Sequence, residues 1–141
     1  MFSFRFRADY IDTDAMGIVH HASYLRFFER VRVEWLRSIG MNYRKMEEDG
    51  MYLPLHSCQL NYKLPMHFDD EFDVILTLGA LEKASLTLDY KVICDETLRA
   101  TGTTTHVLCQ RKTIENKTVF SIKRIPSEWR TVWQQPNEKK L

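Results

Sequence analysis

Residues 12–39 have the sequence DTDAMGIVHHASYLRFFERVRVEWLRSI, in which a polar loop leads directly into an amphipathic helix. From Tyr24 to Ile39 the apolar side chains recur every three or four positions, which is the period of one helix face. Arginines occupy the opposite face, and Gly40 is a natural end for the helix. The apolar positions are Tyr24, Leu25, Phe28, Val31, Trp35, Leu36 and Ile39. This wide, aromatic stripe predicts a helix buried at the centre of the domain.

The loop before this helix combines carboxylates, a glycine and imidazoles. Asp12 and Asp14 precede Gly17, and His20 and His21 follow it. A helix start presents unpaired main-chain N–H groups and the positive end of the helix dipole. A carboxylate a few residues upstream can therefore share a pocket with donors suited to a developing oxyanion. This combination predicts chemistry on an acyl carbonyl.

The composition of the 141-residue chain is typical of one globular domain. Hydrophobic residues make up 44% and charged residues 28%, which is enough apolar material for a buried core. The net charge of +1 argues against a nucleic-acid partner held by bulk electrostatics. The cysteines, Cys58, Cys94 and Cys109, lack metal-ligand spacing. With no signal-peptide pattern and no apolar stretch of transmembrane length, we expect a cytoplasmic protein without membrane insertion.

Outside the long helix, the alternation of apolar and polar residues predicts a series of strands. The expected strands cover residues 2–7, 53–63, 72–78, 86–92, 100–111 and 118–123, with short helices at 43–48 and 127–133. One long helix followed by an antiparallel meander is an α+β pattern, with the helix packed on one face of the sheet. We therefore predict a single domain over residues 1–135, followed by a polar tail over residues 136–141.

The motif around the two aspartates extends well beyond the loop. Its segments are Tyr10–Asp14, Gly17–Tyr24, Phe27–Arg30 and Glu34–Leu36, with looser agreement at Asn61–Pro65 and Phe68–Asp70. This D-x-D-x-x-G-I-V…Y block resembles that of the hotdog-fold acyl-CoA thioesterases of the 4-hydroxybenzoyl-CoA type, and is most similar to the branch associated with the Tol-Pal envelope system. The resemblance implies a hotdog fold, in which an antiparallel sheet wraps a long central helix. The periodicity above agrees with that fold.

The resemblance also implies roles for individual residues. Asp14 corresponds to the catalytic carboxylate, as nucleophile or general base, whereas Asp12 is expected to stabilise the turn. His21 and Tyr10 match positions that line the catalytic site, and the main-chain N–H of His21 matches the donor that polarises the thioester carbonyl. The implied substrate-binding positions are Gly17, Val19, Ser23 and Tyr24. Ser23 stands where this branch commonly has Asn, which leaves any contact of the Asn amide with the substrate open.

These residues imply an acyl-CoA thioester hydrolase with no metal and no cofactor beyond the CoA of its substrate. Lys63, Lys83 and Arg111 lie near strand ends or turns and are candidates for the nucleotide phosphates. Further basic candidates are Lys112, Lys123 and Arg124. The expected partners are acyl-CoA and, as a second carrier of the thioester, acyl-carrier protein. An open sheet edge together with the resemblance implies a homodimer or homotetramer with active sites at the interface.

Other functions remain open on the sequence. A hydratase or dehydratase on the same fold would use a His/Asp arrangement on the helix, which the loop position of Asp14 disfavours. A non-catalytic hotdog module that binds acyl-CoA or acyl-carrier protein is compatible with Ser23 but disfavoured by the intact Asp14. His20 and His21 could be half of a metal site, yet no third ligand stands at a suitable spacing. Short aliphatic, long aliphatic and aromatic acyl groups all fit the sequence.

Overall fold

A five-stranded antiparallel sheet packs around one long helix in the computed structural model, which describes residues 1–136. The strands are β1 (Phe2–Arg7), β2 (Met51–Tyr52), β3 (Leu55–Tyr62), β4 (Glu71–Leu81), β5 (Ser85–Cys94), β6 (Thr97–Val107), β7 (Cys109–Ile114) and β8 (Lys117–Ile122). The helices are α1 (Ser23–Ser38), α2 (Tyr43–Glu48) and α3 (Ser127–Gln134). The larger sheet has the order β1-β4-β5-β6-β3, and β2, β7 and β8 form a second sheet. The predicted α+β hotdog architecture is confirmed.

Helix α1 buries the aromatic face that its sequence predicts. Its buried residues are Tyr24, Phe27, Phe28, Val31, Trp35 and Leu36. The ring of Phe28 stacks on Tyr90 of β5, with 4.2 Å between the ring centroids. A Cβ atom at Gly102 of β6 would lie 2.3 Å from the Phe28 ring. The helix can therefore approach the sheet this closely only because residue 102 has no side chain.

One expected strand is divided between the two sheets. The run predicted over residues 100–111 stops at Leu108, whose N–H donates to the Ala84 carbonyl at 2.8 Å while its own carbonyl accepts from the Lys123 N–H at 2.8 Å. The run predicted over residues 53–63 corresponds to the single strand β3, which pairs with β6, and the short strand β2 just before it pairs with β7. Alternation reveals which residues are extended but not which neighbour they pair with, so the break at Leu108 was missed.

A chain of hydrogen-bonded polar groups links α1 to the segment before β3. Arg32 donates to the Tyr90 hydroxyl at 3.3 Å, and that hydroxyl lies 2.7 Å from the Thr104 hydroxyl. The Nε2 atom of His106 lies 2.9 Å from the same Thr104 hydroxyl, and its Nδ1 lies 3.1 Å from the Leu53 carbonyl. Burial, reinforced by the Arg32 charge, lowers the pKa of His106 to about 4. This imidazole is therefore neutral and structural.

The outer edge of β3 pairs with no strand among residues 1–136. Its side chains are exposed apart from Leu60, which is partly buried. Within the same described range, no helix combines the length and apolarity that crossing a membrane requires. The predicted polar tail, residues 136–141, lies outside the described residues apart from Pro136.

Candidate active site

The loop between β1 and α1 forms a tight turn that carries Asp14. The Asp14 N–H donates to the Ile18 carbonyl at 2.9 Å, and the Asp14 carbonyl accepts from the Gly17 N–H at 3.0 Å. The carboxylate accepts from the Met16 N–H through Oδ1 at 2.8 Å. Gly17 has a φ of 77°, a left-handed conformation that glycine adopts at the lowest cost. The turn therefore anchors the carboxylate by one oxygen, Oδ1.

Asp12, two residues earlier, is the structural base of this loop. Its side chain is buried, accepts from the Asp9 N–H at 2.8 Å and forms an ion pair with Arg26. Its carbonyl accepts from the His20 N–H at 2.7 Å and from the Ser23 hydroxyl at 3.0 Å. The expectation that Asp12 stabilises the turn is confirmed.

An open cavity of about 450 Å³ lies between this loop, the start of α1 and the segment that follows β3. Its lining residues are Asp14, Met16, Ile18, Val19, His21, Tyr24, Tyr62, Lys63, Leu64 and Pro65. Four sequence candidates for catalysis or substrate binding, Asp14, Val19, His21 and Tyr24, thus meet in one cavity. Most of the remaining wall is apolar, which suits an acyl group.

The main-chain N–H of His21 lies just before the first turn of α1, which begins at Ser23. No residue in the described range 1–136 accepts a hydrogen bond from it. The His21 carbonyl, in contrast, accepts from the Tyr62 hydroxyl at 2.8 Å. The His21 imidazole is exposed and stacks on that of His20, with 4.0 Å between the ring centroids. The cavity therefore combines a carboxylate with an available N–H donor, which suits attack on a carbonyl whose oxygen gains negative charge.

Comparison with known proteins agrees with this geometry. Residues 10–131 match the family model described as the thioesterase-like superfamily. The chain is also 32% identical to the acyl-CoA thioesterase YbgC of Haemophilus influenzae, over 77% of this chain and 79% of that protein. The chain belongs to the thioesterase-like superfamily.

Solved structures support the fold of this thioesterase. A hypothetical protein of Aquifex aeolicus is 34% identical and aligns with a TM-score of 0.81 over 95% of this chain and all of that one. A 4-hydroxybenzoyl-CoA thioesterase aligns with a TM-score of 0.83 over 94% of this chain and 97% of that one, at 15% identity. At that identity the likeness shows the hotdog fold alone.

Three predicted site residues of this thioesterase do not line the cavity. Tyr10 lies on the outside of the loop, where it is 76% exposed and stacks on Phe68 with 3.8 Å between the ring centroids. Gly17 shapes the turn, and the Ser23 hydroxyl donates a hydrogen bond to the Asp12 carbonyl. Within a single chain, the local folding of the loop directs these residues away from the cavity, a detail that a sequence motif does not contain.

The predicted CoA-binding residues of this thioesterase lie in three different places. Lys63 lines the cavity itself. Lys83 lies in a separate open cleft of about 750 Å³, which is also lined by Lys123, Arg124 and Arg130. Arg111 lies on β7, where it donates to the Tyr52 hydroxyl at 3.0 Å. The Lys83 cleft is thus the place where several basic residues lie together.

Part of the cavity wall comes from the end of β3 and the segment that follows it, a region that the motif matches only loosely. Leu64 and Pro65 line the cavity, and Tyr62 packs its ring edge-on against Tyr24 with 5.2 Å between the centroids. Burial raises the pKa of both tyrosine hydroxyls, so both are protonated at neutral pH. No local signal connects this segment to the loop, because about 40 residues separate Tyr62 from His21 in the sequence. Within residues 1–136, no group of three His, Cys, Asp or Glu side chains is arranged to hold a metal ion.

Proposed function

We propose that this thioesterase hydrolyses acyl-CoA thioesters in the cavity at the start of α1, with Asp14 as the catalytic carboxylate. One observation carries the proposal. The Asp14 carboxylate lines the same cavity as His21, whose N–H has no acceptor among residues 1–136. The 32% identity to an acyl-CoA thioesterase supports the choice of CoA as the thiol.

The thioester carbonyl oxygen accepts a hydrogen bond from the His21 N–H, which stabilises the negative charge that develops on it. By one route, an Asp14 oxygen attacks the carbonyl carbon, the C–S bond breaks, and water then hydrolyses the mixed anhydride. By the other, Asp14 removes a proton from a water molecule whose oxygen attacks the carbonyl carbon directly. In both, the thiolate of CoA leaves and takes up a proton, and the His21 imidazole assists its departure. The products are a carboxylic acid and CoA.

The phosphates of CoA are expected to lie on basic side chains outside the acyl cavity. The cleft around Lys83 collects four cationic side chains, namely Lys83, Lys123, Arg124 and Arg130. Clustered cations hold a nucleotide phosphate better than a single surface lysine does. Lys63, at the cavity, is placed to meet the substrate nearer the thioester. Arg111 is the weakest of the three predicted phosphate ligands, because it packs on Tyr52.

A homodimer or a homotetramer built from dimers is part of this proposal. The free edge of β3 invites pairing with the same strand of a second copy. Tyr62 both ends β3 and lines the cavity, so a partner strand would lie beside the site. Light scattering at micromolar concentration tests this, and a monomer with full activity would contradict it. We also place the enzyme in the reducing cytoplasm, where Cys58, Cys94 and Cys109 would remain free thiols.

Thiol release from a panel of acyl-CoAs, followed with a thiol reagent, tests the function. We expect release from at least one acyl class, and the same panel on acyl-carrier protein shows whether that carrier is also used. Tight binding without release would instead support the non-catalytic binding module. The hydratase alternative is disfavoured further, because neither carboxylate of α1, Glu29 or Glu34, lines the cavity.

A further inference from the structure

The main chain between His20 and Ser23 is bonded at nearly every polar group. The His20 N–H donates to the Asp12 carbonyl at 2.7 Å, and the His20 carbonyl accepts from the Ser23 N–H at 2.9 Å. The Ala22 N–H donates to Nδ1 of His20 at 3.0 Å. Buried or constrained main-chain groups normally find such partners. Against this background, the absence of an acceptor for the His21 N–H among residues 1–136 singles out that donor.

Tyr62 reaches this segment from the end of β3, 41 residues away in the sequence. Its hydroxyl donates to the His21 carbonyl at 2.8 Å. The position of the Tyr62 side chain is itself fixed, because its ring packs edge-on against Tyr24. The next residue, Lys63, donates its N–H to the Arg99 carbonyl at 2.8 Å. The hydroxyl therefore acts on the His21 carbonyl from an anchored position.

His20 holds the other side of the same peptide group. Its Nδ1 accepts from the Ala22 N–H at 3.0 Å, which assigns the imidazole proton to Nε2 in the neutral form. The carbonyl of this planar group is held by Tyr62 and its N–H by His20. The preceding peptide group is held through the His20 carbonyl, which accepts from Ser23. That preceding group contains the His21 N–H, so the direction of this donor is set by the Ser23 bond to the His20 carbonyl and by the fixed peptide plane on the other side of the His21 Cα.

We propose that Tyr62 and His20 are positioning residues that aim the His21 N–H at the thioester carbonyl. The inference rests on the proposed function and deepens it, since neither side chain needs to touch the reacting atoms. A donor that is already oriented stabilises the developing oxyanion without reorganisation during the reaction. Loss of the Tyr62 hydroxyl or of the His20 acceptor leaves the donor present but less well oriented. The loss should therefore appear in kcat and not in KM.

Turnover of Tyr62→Phe tests the role of the Tyr62 hydroxyl. This change keeps the ring that packs on Tyr24 and removes only the hydroxyl that holds the His21 carbonyl. We expect kcat to fall about 5- to 30-fold, less than the roughly 100- to 1,000-fold cost of deleting an oxyanion donor. KM should change less than about twofold. Tyr43→Phe is the matched control, because that hydroxyl lies outside the cavity and its loss should leave kcat unchanged.

A pair of variants at His20 tests the role of its Nδ1 as the acceptor for the Ala22 N–H. An Asn side chain accepts readily from the N–H two residues later, so His20→Asn retains the acceptor for Ala22. His20→Phe keeps a ring that can stack on His21 but has no acceptor. We expect His20→Phe to lower kcat to a similar degree as Tyr62→Phe, and His20→Asn to retain most of the turnover. Equal losses of kcat in the two His20 variants would overturn the positioning role of His20.

The carbonyl stretching frequency of a bound substrate reports directly how well the His21 N–H is oriented toward the carbonyl oxygen. A thioester labelled with ¹³C at the carbonyl can be bound to an Asp14→Asn enzyme, which is expected to turn over slowly. We expect binding to lower the stretching frequency, and the additional change Tyr62→Phe to reverse part of that shift. A role limited to stability would leave the frequency unchanged. This measurement also decides the matter if Tyr62→Phe folds less well and its kcat is ambiguous.

The outcomes separate this inference from the function on which it rests. Thiol release by the wild-type enzyme, with unchanged kcat and carbonyl frequency in Tyr62→Phe, overturns the positioning role and leaves the thioesterase proposal standing. If the wild-type enzyme releases no thiol from any acyl-CoA, the proposed function itself fails, and the positioning role fails with it. Reduced kcat together with a smaller frequency shift supports both.

Discussion

The polar groups in the core of this thioesterase are paired with one another, whereas those at its cavity are left available to a ligand. In the core, Tyr90, Thr104 and His106 are buried and joined by hydrogen bonds that continue to the Leu53 carbonyl. At the cavity, the Asp14 carboxylate is only partly buried and is anchored through one oxygen. Polar groups that are fully paired stabilise a structure, whereas a group left available can act on a ligand.

Asp12 and Asp14 show that this difference can arise within three consecutive residues. Asp12 is 1% exposed and belongs with the core groups, because its carboxylate accepts a hydrogen bond from the Asp9 N–H and forms an ion pair with Arg26. Asp14 lines the cavity. The two side chains are chemically identical, so their roles depend on their partners alone. The four predictions that follow test this contrast.

The largest effect is expected at Asp14. Asp14→Asn keeps the size of the side chain but removes its ability to attack a carbonyl or accept a proton. We expect turnover to fall about 100- to 10,000-fold, the scale of a positioned acid or base, while the melting temperature changes little. Steady-state thiol release and thermal unfolding measure the two quantities. Turnover near the wild-type rate would show that Asp14 is not the catalytic carboxylate.

The core groups should instead determine how stability depends on pH. The pKa of His106 is lowered to about 4 in the folded state, whereas an unfolded histidine titrates near its ordinary value. Because the unfolded chain then binds the proton more strongly, folding is most favoured above the unfolded pKa. The free energy of unfolding should decrease by about 3 kcal/mol as the pH falls from about 6.5 to about 4.

Urea titrations at several pH values measure this dependence. In His106→Gln the slope assigned to this group should disappear, whatever the absolute stability of the variant. A wild-type free energy of unfolding that stays flat over this pH interval would contradict the burial of a neutral imidazole at position 106.

Asp12→Asn should act on stability more than on chemistry. The Asn side chain can still accept from the Asp9 N–H, but it cannot form the charged pair with Arg26. Since a buried hydrogen bond to a charged group contributes about 1.5–3 kcal/mol, we expect a loss of that order in the free energy of unfolding. Activity of the folded fraction should stay close to wild type at low temperature. An activity loss equal to that of Asp14→Asn would remove the contrast between the two carboxylates.

The smallest effect is expected from the His21 side chain. Because the main-chain N–H is the proposed oxyanion donor, His21→Ala should keep the donor and lose only the assistance of the imidazole. We expect turnover to fall about tenfold, below the effect of losing a positioned acid or base outright. The variant can be assayed beside Asp14→Asn with the same substrate. Equal losses would identify the imidazole as an essential acid or base.

Much of the fold follows from local patterns along the chain. The observed α1, Ser23–Ser38, differs by one residue at each end from the helix expected from the apolar period, and α2 has the expected bounds, Tyr43–Glu48. The loop motif also selected Asp14 and His21, which line one cavity in the structure. The helix bounds and the position of these two residues share a cause, since helix periodicity and turn chemistry act over only a few residues.

Other features depend on partners that are distant in the sequence. Tyr10 matches a site position in the motif, but in the single chain it stacks on Phe68 outside the cavity. The predicted strand over residues 100–111 divides at Leu108, because its two halves pair with different sheets. In both cases the deciding contact comes from another element. Local alternation contains no information about such a contact.

The sequence by itself determined the central helix, the turn before it and the chemical groups available to the site. The net charge of +1 argued against a nucleic-acid partner, and the carboxylates and imidazoles of the loop directed the search for function to that loop. Only the tertiary structure decided which of two neighbouring aspartates is buried, and that Tyr62 holds the His21 carbonyl from the end of β3. The physical reason is that burial and long-range hydrogen bonds arise when separate elements pack together, so they depend on the whole fold.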